Sequence, residues 1–405
     1  MTDTAVPIST LKRDSFVTGL IGSAHFISHF YQLSLAPLFP VFHTYFGVSY
    51  TALGSLVTAF YLVSGLCQAF AGIFVDKWGP RPVLLFGMMS MATCIGLAGL
   101  VTHFWMFYPL LVLAGTGNSV FHPADFSALS HQVSKPRLGR AFSIHACGGR
   151  LGYAMAPLIV GTLATYCGWR MALGTAGIFG WLVSLALIRY GRDYIPDHGF
   201  GDAANPHASI SYSKLIAMPA LLFAFGYFFL TAAAGSAFQN FSIAAFMDYY
   251  GVSLDMAARA LSAYLISSAV GMLCGGVLAD HTQHHARVAA LGLCLTAAFM
   301  ALIASGNLSY GLVVAAAAAV GACEGVTAPS RDILVKGAAP PGATGRVFGF
   351  VYSGLDAGST VAPLVFGALV DHHAYHAIFF GIAILFGSAI LSVLTLGQRQ
   401  TAKQA

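Results

Sequence analysis

The chain has 405 residues, of which 57% are hydrophobic and only 8% are Asp, Glu, Lys or Arg. Soluble domains carry roughly 25% charged residues, because their surface must meet water. The composition therefore excludes an ordinary soluble protein and predicts an integral membrane protein embedded in a lipid bilayer. The seven Cys residues occur singly, so neither a disulfide framework nor a zinc site is predicted from them.

Twelve apolar runs follow one another, and each approaches or exceeds the about 20 residues that a helix needs to cross a bilayer. The first six lie near 16–43, 50–74, 82–102, 104–129, 138–166 and 169–190. The second six lie near 215–247, 256–280, 287–305, 308–336, 345–370 and 375–396. We therefore predict an N-terminal six-helix half over 1–190, a cytoplasmic linker over 191–213 and a C-terminal six-helix half over 214–405.

Lys and Arg are distributed unevenly between the predicted loops. Of the 19 such residues, we place Arg170 and Arg259 in outer loops and Arg150 inside a helix, which leaves 16 on one side. The positive-inside rule makes that side cytoplasmic. We predict a multi-pass protein of a bacterial-type inner (plasma) membrane with both termini in the cytoplasm, residues 1–14 forming a polar tail. The net charge of +5 then requires no nucleic acid partner.

An internal repeat relates the two halves. A first set of matches has an offset of 206 residues: Gly139-Arg140 with Gly345-Arg346, Ala156-Pro157 with Ala362-Pro363, Gly161 with Gly367, Gly115 with Gly321, and Pro123 with Pro329. A second set, with an offset of 204, relates Gly72 and Asp76 to Gly276 and Asp280. The sequence thus predicts an all-α integral membrane fold of twelve transmembrane helices in two parallel six-helix repeats. Transporters of this architecture bind substrate between the halves, near the membrane midplane.

Four segments resemble a known family. Gly72-xxx-Asp76-xx-Gly79-x-Arg81 resembles the signature loop between helices two and three of the major facilitator superfamily. The stretches SAHFISHFYQLSLAPLFPVF, GTGNSVFHPADFSALS and GRAFSIHACGGRLGYAMAPLIVG resemble the fosmidomycin-resistance branch of drug exporters within it. This resemblance implies proton-driven export of a small polar compound. We predict a monomer with no enzymatic activity, no cofactor and no resident metal.

Charged residues near the predicted cytoplasmic helix ends are candidates for a conformational latch. A carboxylate such as Asp76 can accept hydrogen bonds from a helix N-terminus and can pair with an Arg. Such contacts would form in one conformation and break in the other. The alternative is loop charge that only sets the topology. The candidates are Asp76, Arg81, Arg140, Asp280 and Arg346.

Arg150 lies in the middle of the fifth predicted helix, where a charge costs roughly 2.5–3.5 kcal/mol. The repeat places Asp356 at the equivalent position of the second half. One hypothesis is that both face the central cavity, where Arg150 binds an anionic group or pairs with Asp356. The alternatives are separate neutralising contacts within each half, such as Arg150 with Asp125, or an Arg150 that replaces a different natural residue.

Polar residues inside the predicted helices are the candidates for substrate binding and proton coupling. In the superfamily that the chain resembles, helices one, four and five line the cavity. The predicted substrate-binding residues are Arg150, His25, His29, Gln32, Asn118, His122, His145, Gln239, Asn240 and Asp356. The predicted proton-coupling carboxylates are Asp125, Glu324 and Asp356. For any single histidine, hydrogen-bonded packing is the alternative role.

These features predict a proton-coupled secondary active transporter of a small, anionic or zwitterionic organic solute, with export by antiport favoured. Import of an organic anion by proton symport is the alternative. His25 and His29, at i and i+4 with Asp125 nearby, also have the spacing of metal ligands, which leaves transport of a divalent metal open. The chain has no Walker A lysine motif, so direct drive by ATP is not predicted.

Overall fold

The computed structural model describes residues 8–195, 197, 218–338 and 344–404. These residues form helices joined by short turns, with no β-strand among them. In the first part of the chain the helices are α1 (Ile8–Gln32), α2 (Phe39–Phe46), α3 (Tyr50–Trp78), α4 (Pro80–Ala98), α5 (Phe107–Asn118), α6 (Phe121–Gln132), α7 (Lys135–Cys167) and α8 (Trp169–Gly191). In the second part they are α9 (Pro219–Tyr250), α10 (Leu254–Asp280), α11 (His285–Ala304), α12 (Tyr310–Ala338), α13 (Thr344–Asp371) and α14 (Tyr375–Gln404). Most of the predicted linker lies outside the described residues.

Ten stretches of the described helices are long and apolar enough to cross a membrane, with α5 and α6 counted as one span. The two further predicted spans are α1 and α7, which carry more polar side chains. His25 and His29 lie in α1, and Arg140 and Arg150 lie in α7. Together these elements give the twelve predicted spans and confirm the all-helical membrane fold.

Two predicted spans are not continuous helices, and prolines explain both breaks. The run 16–43 leaves helical structure after Gln32 and resumes as α2, after a 3-10 turn at Ala36–Leu38 that contains Pro37. The run 104–129 divides between α5 and α6. Pro123 has no N–H to donate to the Ser119 carbonyl, so it cannot complete the hydrogen bond that would carry the helix across this point.

Contacts within the chain define two compact units. One comprises Met1–Leu35 and Val63–Ala203, and the other comprises Ala36–Leu62 and Ala204–Ala405. Residues 36–62, which the predicted N-terminal half includes, therefore pack within the second unit. Inside that unit the beginning of α3 lies against α13: the Thr58 hydroxyl donates to the Thr360 carbonyl at 2.7 Å. At Gly54 a Cβ would lie 2.3 Å from the Pro363 carbonyl oxygen, so only glycine permits this approach.

The repeat found in the sequence recurs in the packing within each unit. In the first unit, a Cβ on Gly152 of α7 would lie 2.1 Å from the Phe26 carbonyl oxygen of α1. In the second unit, a Cβ on Gly358 of α13 would lie 2.3 Å from the Phe229 carbonyl oxygen of α9. Small residues thus let α1 approach α7, and α9 approach α13, backbone to backbone. The two helix pairs share one packing register, as two copies of one six-helix repeat require.

Asp14 belongs to α1 and anchors the beginning of α7. The side chain is 3% exposed, and its Oδ2 accepts a hydrogen bond from the Ser134 hydroxyl at 2.5 Å. The same oxygen pairs with Arg137 at 2.7 Å. Ser134 directly precedes α7, so the carboxylate sits at the positive end of that helix. The prediction of a polar tail over 1–14 is therefore wrong for 8–14, where Lys12 and Arg13 face outward while Asp14 faces inward.

Asp14→Asn tests this anchor, because it removes the charge and preserves the side-chain size. We expect the free energy of unfolding to fall by about 1–3 kcal/mol, the usual cost of leaving a buried polar group without its partner. Thermal unfolding of the detergent-purified protein measures the change. Asp255→Asn is the matched control, since its partner Arg259 is 66% exposed and exposed pairs contribute about 0–1 kcal/mol. Equal losses in both variants would contradict an anchoring role for Asp14.

Candidate functional site

Four histidines and an aspartate from three helices of the first unit lie together. His25 and His29 come from α1, His122 and Asp125 from α6, and His145 from α7. The His25 and His145 rings stack with their centroids 3.6 Å apart. The His29 and His122 ring centroids lie 4.4 and 5.3 Å from that of His25. We call these five residues the histidine cluster; all five were predicted site residues, and the structure brings them together.

Asp125 is the anionic member of the histidine cluster and is fully buried. Its Oδ2 accepts a hydrogen bond from His145 Nε2 at 2.9 Å and lies 3.0 Å from His25 Nδ1. The contact with His25 has the distance of an ion pair but not the geometry of a hydrogen bond. Asp125 Oδ1 and His29 Nδ1 are buried and have no hydrogen-bond partner among the described residues. The cluster therefore contains polar atoms that no described residue satisfies.

The close approach of α1 and α7 positions the histidine cluster. Gly149 lies where a Cβ would be 2.8 Å from the His29 ring and 2.9 Å from His25 Nε2. The absence of a side chain there leaves room for both rings. The interruption between α5 and α6 places His122 and Asp125 within the first five residues of α6. The sequence thus contains two local signals. One is Gly149, which faces the two histidines of α1, and the other is Pro123, which lies inside the fourth span.

A polar chain of four side chains lies in the same unit. Tyr153 donates to Gln32 Oε1 at 2.5 Å, Gln32 Nε2 donates to Asn118 Oδ1 at 2.9 Å, and Asn118 Nδ2 donates to the Ser64 hydroxyl at 2.8 Å. We call Tyr153, Gln32, Asn118 and Ser64 the polar chain. Gln32 and Asn118 were predicted site residues, whereas no sequence signal marks Ser64.

Arg150 and Asp356, the pair related by the repeat, lie on different units. Arg150 is half-buried on α7, three residues before Tyr153, so the two side chains share a helix face. Asp356 is half-buried on α13. That they face one cavity stays a prediction.

In the second unit, Glu324 and Asn240 have identified partners. Tyr264 of α10 donates to Glu324 Oε2 of α12 at 2.5 Å. Asn240 donates to the Ser236 carbonyl at 2.8 Å, one turn earlier in α9. This contact satisfies part of the buried Asn240 amide within its own helix. Gln239, also on α9, is half-buried.

The predicted latch residues differ in their surroundings. Arg81 is buried and donates to the Leu187 and Ile188 carbonyls at the end of α8, at 3.2 and 3.1 Å, and to Asp197 at 2.7 Å. It therefore binds the negative end of α8 within the first unit. Three of the others, Asp76, Arg140 and Asp280, are exposed at helix ends. Arg346 lies in α13, and its side chain is outside the described residues.

Asp371, which the sequence analysis did not single out, caps the N-terminus of α3. Its carboxylate accepts hydrogen bonds from the Tyr50 N–H at 2.5 Å and the Thr51 N–H at 2.9 Å. The Thr51 hydroxyl donates to it at 2.6 Å. Asp371 is the last residue of α13, so an acid at the end of one helix satisfies the free N–H groups at the start of another.

Comparison with known proteins identifies relatives along most of the chain. The profile of the Major Facilitator Superfamily matches residues 21–243 and 223–405. The fosmidomycin resistance protein of Escherichia coli (strain K12) is 27% identical over 288 residues, which cover 68% of each chain. The uncharacterized MFS-type transporter YfnC of Bacillus subtilis (strain 168) is 26% identical over 385 residues, or 93% of this chain and 91% of that protein. The crystal structure of the nucleoside transporter NupG has the same fold, with a TM-score of 0.76 at 14% identity over 93% of this chain and 99% of that one.

Gly149→Ala tests how the histidine cluster is positioned. The added methyl group would meet both histidine rings of α1, so we expect α1 and α7 to separate and the free energy of unfolding to fall by about 1–3 kcal/mol, as for other overpacked sites. Thermal unfolding measures the loss. Gly139→Ala in the same helix is the control: a Cβ there meets nothing within 4 Å, and alanine is favoured over glycine in a helix. If the Gly149→Ala variant is as stable as the Gly139→Ala variant, the contact between α1 and α7 tolerates a side chain at this position.

Proposed function

The chain belongs to the Major Facilitator Superfamily, and we propose that it is a proton-coupled secondary active transporter of a small anionic or zwitterionic organic solute. It works as a monomer by alternating access in a bacterial-type inner membrane, with both termini in the cytoplasm, and exports the solute in exchange for protons. The observation that carries the proposal is a set of half-buried ionisable side chains inside the spanning helices of both units. Ionisable groups in such helices are costly and are usually retained for function.

Arg150 and the polar chain support an anionic or zwitterionic solute. A guanidinium group binds carboxylate or phosphate oxygens through two parallel hydrogen bonds. Tyr153 begins the polar chain less than one turn from Arg150, and the chain continues through two amides to Ser64. A solute with one acidic group and further polar groups matches this combination, with Arg150 binding the charge and the amides binding the rest.

Glu324 and Asp356 support the coupling to protons. A proton carrier must meet water on each side of the membrane in turn, and both side chains are half-buried, whereas Asp125 is fully buried. The Tyr264 hydroxyl, 2.5 Å from Glu324, stabilises the charged carboxylate when the proton has left. We therefore place coupling on Glu324 and Asp356 rather than on Asp125.

Asp371 supports alternation between two conformations. Its cap on α3 lies at the helix ends that the charge distribution predicts to be outer. Asp76, near the other end of α3, is the predicted latch residue on the cytoplasmic side. The Asp371 contact would stabilise one conformation, and a contact of Asp76 that forms when it breaks would stabilise the other.

The similarity to the fosmidomycin resistance protein favours export over import. Symport of an organic anion into the cell is the second candidate, because the same carboxylates can release protons on either side. Flux measured against an imposed pH gradient distinguishes the two: antiport moves solute against the proton flow, and symport moves it with the flow.

Transport in proteoliposomes tests the proposal. With a panel of organic acids and zwitterions and an internal pH dye, we expect saturable solute flux coupled to proton movement. Glu324→Gln and Asp356→Asn should each lower gradient-driven flux at least about tenfold, which corresponds to about 1.4 kcal/mol. Asp255→Asn, in the first turn of α10, is the control and should leave flux unchanged. Passive, non-saturating conductance in the unsubstituted protein would exclude a coupled carrier.

Arg150→Ala tests the recognition of the anionic group. A solute that raises the unfolding temperature of the unsubstituted protein should bind the variant about 10- to 150-fold more weakly, the range for losing a hydrogen bond to a charged group. Ligand titration followed by thermal shift measures the affinity. An anionic solute that stabilises both forms equally would show that Arg150 is not its anchor.

Asp371→Ala tests the cap on α3. Loss of an N-cap costs about 0.5–2 kcal/mol. The contact between the beginning of α3 and α13 should therefore open about 2- to 30-fold more often. A Thr58→Cys probe in a background without the natural cysteines reports this opening through its rate of labelling by a membrane-impermeant maleimide. Asp255→Ala, in the first turn of α10, is the control. If Asp371→Ala leaves the labelling rate unchanged, the cap has no role in the transport cycle.

A further inference from the structure

Three ligand atoms of the histidine cluster converge on one small volume. His25 Nδ1, Asp125 Oδ2 and His145 Nε2 all lie within 4.8 Å of one another. The carboxylate oxygen is 3.0 Å from the first nitrogen and 2.9 Å from the second. Around a tetrahedral zinc ion with bonds of about 2.1 Å, ligand atoms lie about 3.4 Å apart. The carboxylate oxygen would have to separate from each nitrogen by about 0.4–0.5 Å to reach that spacing.

The donor set is selective in its chemistry. Two imidazole nitrogens and one carboxylate oxygen suit Zn²⁺, Co²⁺ and Ni²⁺, whereas Mg²⁺ and Ca²⁺ prefer sites made of oxygen. His29 lies beside these ligands, because its ring centroid is 4.4 Å from that of His25, and its Nδ1 is buried with no hydrogen-bond partner among the described residues. The three converging atoms have the number and type of the protein ligands of an open zinc-class site, in which water fills the fourth position.

The unsatisfied atoms are the independent observation that points to a ligand. His25, Asp125 and His145 are 3%, 0% and 2% exposed. Among the described residues His25 Nδ1 and Asp125 Oδ1 have no hydrogen-bond partner, although His25 Nδ1 lies 3.0 Å from Asp125 Oδ2. Buried polar atoms are normally satisfied. Coordination to an ion would satisfy His25 Nδ1 directly, and it would neutralise the charge of Asp125.

We propose that the histidine cluster binds one divalent transition-metal ion of the zinc class through His25, Asp125 and His145. The ion would join α1, α6 and α7, which supply the three ligands. This proposal goes beyond the proposed function, which assigns no step to these three residues. The competing explanation is a network held by shared protons alone, and it predicts no metal binding.

Metal binding to the full chain in detergent tests the proposal. The protein is purified with a tag that contains no histidine, treated with a chelator and titrated with CoCl₂, because tetrahedral Co²⁺ absorbs visible light strongly. We expect one Co²⁺ per chain, displaced by ZnCl₂ but not by MgCl₂, and an unfolding temperature that rises with ZnCl₂. Asp125→Asn and His145→Gln should each weaken binding at least about 100-fold, the upper range for losing even an outer-shell partner.

His131→Gln is the matched control, because His131 lies on α6 with Asp125 but is exposed and contacts the Ser127 carbonyl of its own helix through Nδ1 at 2.8 Å. It should bind the metal like the unsubstituted protein. If either cluster variant is unstable, His25→Gln and the Co²⁺ spectrum of the remaining variant decide the question. Absence of stoichiometric binding, or equal binding in the cluster variants and the control, would overturn the proposal. Neither result depends on transport. The proposed function is tested separately, by the flux measurements in proteoliposomes.

Discussion

The approach of α1 to α7, backbone to backbone, is the interaction on which the candidate site depends. Gly149 and Gly152 leave no space for a Cβ, and the rings of α1 occupy the room that Gly149 provides. In hydrocarbon no hydrophobic force drives two helices together, so close packing of small residues must hold them. Gly358 makes the same approach in the second unit, where the nearest atoms belong to Phe229, Ala232 and Ala233. The close helix contact is therefore common to both repeats, whereas the histidines beside it belong to the first repeat.

Most of the fold could be predicted, because the apolar runs and the offset between the two repeats can both be read directly from the sequence. Twelve spans and the shared helix register followed from apolar runs and from glycine and proline offsets. The broken spans did not follow, because Pro37 and Pro123 sit inside apolar runs that hydropathy reads as continuous. The inward position of Asp14 was also missed, because Lys12 and Arg13 beside it give the segment the composition of a tail.

The candidate site was predicted as a set of residues but not as a set of contacts. His25 and His29 share a helix face, so their proximity follows from the helical period. The partners of Asp125, Glu324 and Ser64 come from other helices, and which side chains meet is decided by helix rotation and packing that one sequence does not reveal. The same limit applies to Asp371. From the sequence alone, an aspartate that faces water at a helix end cannot be told apart from one that caps a second helix.

The cap on α3 also constrains the order in which the chain can be completed during synthesis. Tyr50 and Asp371 are 321 residues apart, and the first part of α3 packs in the second unit, most of which is made more than 140 residues later. Contacts between segments so distant in sequence form late and slowly. Until the ribosome has made α13, the N–H groups of Tyr50 and Thr51 lack the Asp371 carboxylate, and Gly54 lacks the α13 backbone that packs against it. A chain truncated before residue 371 would therefore leave the start of α3 without its cap.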